Sequence, residues 1–126
     1  MIQQQTILKV SDNSGAKTVK CIKILGGSKK KYAILGETVV VSVQQLRNKS
    51  KKTSKVKKKE IYRALIIKTK TKYSKKDGSK ISFSTNSVAL MNKQGNPVGT
   101  RIIGLIPKIL KKKKFQKFIS LSAGLA

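Results

Sequence analysis

Residues 38–44, Thr-Val-Val-Val-Ser-Val-Gln, set Val39, Val41 and Val43 on one face and Thr38, Val40, Ser42 and Gln44 on the other. A period of two is the signature of a half-buried β-strand, because a helix would scatter these valines around its axis. The period recurs. In residues 61–68, Ile61, Leu65 and Ile67 share a face that Arg63 interrupts; in residues 81–85, Ile81 and Phe83 alternate with Ser82 and Ser84. Residues 6–10, 18–25 and 87–91 read as further strands with less regular alternation. Turn signals fall between them: Asn13-Ser14-Gly15, Gly26-Gly27, Gly36, Asp77-Gly78 and Gly95-Asn96-Pro97. Short strands at this spacing predict a mainly β chain closed into a small antiparallel barrel, with Val41, Leu65, Ile67 and Phe83 inside it. After Pro107, the spacing of Phe115, Phe118, Ile119 and Ser122 becomes helical and predicts a short terminal helix or two. With 126 residues, the chain is read as one domain, residues 1–126: a barrel over about 1–105 and a helical segment over about 106–126.

A barrel alone says little about function; charge says more. The chain carries 30 basic residues, only three of them arginine, against 4 acidic ones, a formal net charge of +26. Such a chain repels itself unless polyanions neutralise it. Three basic runs interrupt the strand pattern: residues 47–59, with eight cations, and residues 68–80 and 108–117, with six each. They fall in loops and at element ends, so the apolar faces are spared. No apolar run is long enough to span a membrane and no basic helix is long enough to lie on one, so nucleic acid is the expected partner. Phosphate contacts are assigned to Lys29, Lys30, Lys31, Arg47, Lys49, Lys51, Lys52, Lys55, Lys57, Lys58, Lys75 and Lys76. Lysine is a point charge on a flexible stem, so such contacts position the protein rather than read bases. Arg47, Arg63 and Arg101 persist in a chain that otherwise prefers lysine, and a planar hydrogen-bonding fork is the reason to keep an arginine. Tyr32, Tyr62 and Tyr73 lie near basic stretches, and tyrosines at a barrel rim are read as packing in preference to stacking.

Catalysis finds little support. There is no histidine, Cys21 is the sole cysteine, and four carboxylates are too few for a metal cluster, so no metal, cofactor or small-molecule substrate is expected. Asp12, in Ser11-Asp12-Asn13-Ser14-Gly15-Ala16, is the only acid among the first 36 residues. A nucleophilic Ser14 would need a base that the chain does not supply. Asp12 is therefore read as folding its own turn, with Gly15 supplying positive φ. Asp77-Gly78 has the form of a hairpin turn. Glu37 and Glu60 stand at strand heads, where they would answer nearby lysines. Gly26-Gly27-Ser28 followed by lysines lacks the Walker spacing of a phosphate loop.

Several blocks carry a resemblance to a known family. Residues 1–28, "MIQQQTILKVSDNSGAKTVKCIKILGGS", resemble the opening of the universal large-subunit ribosomal protein L14 family in its bacterial form. "ALIIKTK" and "DGSKISFSTNSVALMN" within residues 64–92, "NPVGTRIIG" at 96–104 and "FQKFISLS" at 115–122 resemble its later signatures in order. The chain departs from the pattern at Ala89, where a larger β-branched residue is usual, at Leu105, where proline is usual, and in the lysine-rich loop 47–59, which has no glycine.

The resemblance implies a five-stranded OB-like barrel with a projecting basic ribbon and small C-terminal helices. It implies binding to large-subunit rRNA, contacts with neighbouring large-subunit proteins, bridges to small-subunit rRNA and docking of the ribosome silencing factor. Thr100 and Arg101 match the family's Gly-Thr-Arg block and Lys117 the basic position on its terminal helix, which assigns these three to the face toward the small subunit. The N-terminus shows no secretory or Arg-rich transit pattern. Together with a lysine excess typical of AT-rich genomes, it predicts an organelle-encoded protein, mitochondrial before plastid, with an AT-rich bacterium third. The competing class is a free single-strand-binding protein on the same barrel, which should show aromatic platforms; 5% aromatic residues and no tryptophan argue against it.

Overall fold

The computed structural model describes residues 2–27, 29–47, 55–110 and 115–125. Five strands close a barrel in the order β1-β2-β3-β4-β7: β1 Ile7–Val10, β2 Ala16–Ile24, β3 Thr38–Leu46, β4 Ile61–Lys68 and β7 Ser87–Met91. Neighbours are antiparallel except β1 and β7, whose parallel pairing of Lys9 with Ser87 and Val10 with Val88 closes the ring. Closure removes the free edges that five short strands would otherwise expose. Two smaller sheets lie outside it: the hairpin of β5 Tyr73–Ser74 and β6 Lys80–Ile81, and the parallel pair β8 Leu105–Ile106 and β9 Gly124–Leu125. The C-terminal segment holds a 3₁₀ turn, Lys108–Leu110, and one short helix, α1 Gln116–Leu121.

There are two cores. Leu8, Val10, Val19, Cys21, Val39, Val41, Val43, Ala64, Ile66, Val88 and Leu90 fill the barrel. Leu65, Ile67, Ala89 and Met91, from the other faces of β4 and β7, pack instead against Ile102, Ile106, Leu110, Phe115 and Phe118 of the C-terminal segment. The alternation in β3 therefore has the expected sense, whereas that in β4 needs correcting. Leu65 and Ile67 are buried, but outside the barrel, and Ala64 and Ile66 point in. Both faces of β7 are buried, which is why its alternation is weak: a strand covered on two sides reads as a continuous apolar run. Ala89 is buried in the second core, and Leu105 is half-exposed in β8.

Residues 81–85 do not form the strand their alternation suggests. β6 stops at Ile81, and Phe83 is half-buried against the barrel core, tied by its N–H to the Thr69 carbonyl at 2.9 Å. A half-buried ring has less to lose than a core phenylalanine. Phe83→Ala is expected to cost about 1.5–2.5 kcal/mol, half the value for a fully buried ring. Urea denaturation at high salt, where self-repulsion is screened, measures it.

Candidate nucleic-acid interface

The turn at residues 11–15 organises the surface around it. The Oδ1 atom of Asp12 accepts from the Ser14 N–H at 3.2 Å and the Ser14 hydroxyl at 2.6 Å, the expected turn. Its Oδ2 atom does something the sequence did not show, accepting the Leu90 N–H of β7 at 2.9 Å. Asp12 is 2% exposed, and burial pushes its carboxyl above the ordinary value of 3.8, opposed by these hydrogen bonds and by Arg47. Gly15 has φ 103°, the left-handed conformation expected of it. The same turn holds both described ends of the basic loop: the Arg47 N–H donates to the Gly15 carbonyl and the Lys55 N–H to the Ser14 carbonyl, each at 2.9 Å.

Asn13, which the sequence reading passed over, holds the segment carrying Thr100 and Arg101. Its Oδ1 accepts the N–H groups of Thr100 at 2.7 Å and Arg101 at 3.1 Å. Its Nδ2 donates to the Thr100 hydroxyl at 2.7 Å, and its own N–H donates to the Arg101 carbonyl at 3.1 Å. Gly99 is needed for this approach: a Cβ there would lie 2.8 Å from the Asn13 Oδ1. The signal was a short amide side chain directly after Asp12 in the turn, which can cap a neighbouring segment as well as its own. Thr100, Arg101 and Lys117 are all exposed. The Lys117 ammonium donates to the Asn96 side-chain oxygen, and the Ile102 N–H donates to the Leu121 carbonyl at 3.0 Å, so α1 and residues 96–102 are tied together.

The assigned cations fall in several places. Lys29 and Lys31 are exposed, while Lys30 pairs with Glu37 as that strand-head carboxylate was expected to do. Arg47 is half-buried, and one of its guanidinium nitrogens donates to the Val10 carbonyl at 3.1 Å. Lys55, Lys57 and Lys58 are exposed on a stretch that turns back onto the barrel, with Val56 buried between them; Lys49, Lys51 and Lys52 lie outside the described residues. Lys75 and Lys76 sit on the β5–β6 hairpin, closed as expected by Asp77-Gly78. There the Asp77 carboxylate accepts from the Ser79 N–H and hydroxyl, which holds its pKa down, and Gly78 has φ 89°. Lys75 and Lys76 share a groove with Lys108, Tyr73, Ile81, Pro107 and Ile109. Lys9 and Lys17, absent from the sequence assignment, line an open groove with Arg47. Their outward positions, Lys9 between buried Leu8 and Val10 in β1 and Lys17 after buried Ala16 in β2, were the available signal.

The tyrosines divide. Tyr62 and Tyr73 pack on the barrel core, and the Tyr62 hydroxyl donates to Glu60; burial and that carboxylate push it up to about 12. Glu60 was expected to meet a lysine and is met by this neutral hydroxyl instead, because residues 60 and 62 lie on the same side of the strand. Tyr32 stays 44% exposed. The four carboxylates are thus committed inside the molecule, and Lys30–Glu37 is the one ion pair among the described residues. Nearly all the positive charge is left without a counter-charge.

Fold and charge together define a class: a small OB-like β-barrel with a strongly cationic surface. Within that class the chain belongs to the ribosomal protein L14p/L23e family, whose model matches residues 1–125. It is thereby a structural protein of the large ribosomal subunit, from a family that is not enzymatic.

Proposed function

We propose that this protein anchors to large-subunit rRNA through its lysine-rich loops and groove-lining cations, and presents Thr100, Arg101 and Lys117 to small-subunit rRNA or, in its place, to the ribosome silencing factor. The observation that carries the rRNA reading is the uncompensated charge: a net +26 whose few acids are already spent needs a polyanion of extended form. Neighbouring large-subunit proteins share that environment. The second face is supported by the Asn13 clamp, which fixes the backbone beneath Arg101 while leaving its guanidinium exposed. The lysine excess favours a mitochondrial ribosome.

The test is a double variant, Arg101→Ala with Lys117→Gln. Occupancy in purified large subunits should stay normal. Subunit joining, read as the joined fraction while magnesium is titrated, should weaken by about 1–3 kcal/mol, the range for one or two charge-assisted hydrogen bonds. Silencing-factor binding should fall with it. Normal joining and normal factor binding would remove this face from the proposal, and lost occupancy would reassign the residues to the anchor.

A further inference from the structure

We propose that Tyr32 and the glutamines at the N-terminus form a platform that takes one unpaired nucleotide, the base stacked on the tyrosine ring and its edge met by side-chain amides. This rests on the RNA-binding reading above and adds a site to it. Ile2 and Ala33 form an antiparallel bridge, with N–H to carbonyl distances of 2.9 and 2.8 Å, and both are fully buried. Side chains alternate along extended chain, so the next pair along, Gln3 and Tyr32, faces the other way, toward solvent. Gln3, Gln4, Gln5, Lys30, Lys31 and Tyr32 then line one open cleft of about 430 Å³.

The turn beneath the glutamines is held firmly. The Gln5 N–H donates to the Cys21 carbonyl at 2.6 Å and the Gln3 N–H to the Thr6 hydroxyl at 3.1 Å. Gln5 has φ 68°, a conformation that a long side chain seldom adopts. Packing does not explain Tyr32, since Tyr62 and Tyr73 reach the core and it does not. An exposed aromatic face beside amides that both donate and accept is the chemistry that receives a splayed base. Lys31 lines the cleft and Lys29 is exposed two residues before it, both available to flanking phosphates, while Lys30, which also lines the cleft, is held by Glu37. Duplex RNA, its bases already stacked and paired, cannot use this platform.

The full-length protein is tested with two probes: a short single-stranded oligoribonucleotide carrying one 2-aminopurine, and the same strand annealed to its complement. On the single strand, the wild type should quench 2-aminopurine fluorescence. Tyr32→Ala should weaken binding about 5- to 100-fold, the usual cost of one lost base–aromatic stack, and abolish the quenching. The salt slope should not change, since no charge is removed. Tyr32→Phe should behave as wild type. Lys29→Gln with Lys31→Gln should lower the slope by about 1.4 and keep the quenching. Duplex binding should be indifferent to Tyr32. Unchanged single-strand affinity in Tyr32→Ala, or an equal loss on both probes, overturns the platform while leaving the RNA-binding reading in place. Absence of salt-dependent binding of the wild type to either probe overturns both.

Discussion

Phe118→Ala is expected to destabilise the free protein by about 3–5 kcal/mol, through lost transfer free energy and the cavity left behind. Phe118 is 1% exposed and is the more deeply buried of the two phenylalanines of the second core, which also takes in the outer faces of β4 and β7. α1 has six residues and could not persist without that contact. Removing the ring should therefore loosen the whole C-terminal segment and uncover Leu65, Ile67 and Ala89. Urea denaturation at high salt gives the loss, and increased binding of a hydrophobic dye to the native state would report the uncovered face. Phe118→Leu, which nearly keeps the volume, should cost about 1.5 kcal/mol or less. A loss below about 1 kcal/mol for the alanine variant would show that the barrel does not depend on its second core.

Asp12→Asn should cost about 2–3 kcal/mol, well beyond what a local turn would lose. An amide can keep the Ser14 bonds with its oxygen, but its nitrogen then faces the Leu90 N–H. Two donors meet in a buried site, and an unsatisfied buried donor costs about 1–3 kcal/mol. Because the turn also carries Asn13 and both described ends of the basic loop, the variant should disturb the backbone amides of Thr100, Arg101 and Lys55 together, visible in NMR spectra. The sign of the pH dependence follows from burial. The folded carboxyl titrates above its ordinary value of 3.8, so the folded state binds the extra proton between the two values. This group's contribution is fully present below 3.8 and declines as pH rises through the raised folded value. The stability gap between the wild type and Asp12→Ala should accordingly widen on mild acidification. A gap that narrowed instead would mean that the ionised form is the one the fold prefers.

These two residues mark the boundary of what the chain announces. The valines of β3 determine a strand and its inward face locally, because alternation is a property of neighbours in sequence. The hairpin at Asp77-Gly78, the positive φ at Gly15 and the helix around Phe118 are equally local. The excess of lysine determines the class of partner, because charge needs no fold to be counted. The family signatures reached further still, to the five-stranded barrel.

What only the tertiary structure decided is which face meets which partner. Leu65 and Ile67 alternate as cleanly as a barrel interior would, yet they point out of it, because the C-terminal segment supplies a second apolar surface that single-strand periodicity cannot represent. Asn13 gains its role only when residues 99–101, far along the chain, arrive beside it. The three tyrosines look alike in sequence and part company only when the fold packs Tyr62 and Tyr73, each partly buried, against the core and leaves Tyr32 at the surface. Period and charge are sums over adjacent residues, whereas burial depends on chain segments brought together from a distance, and that assignment is made only when the barrel closes.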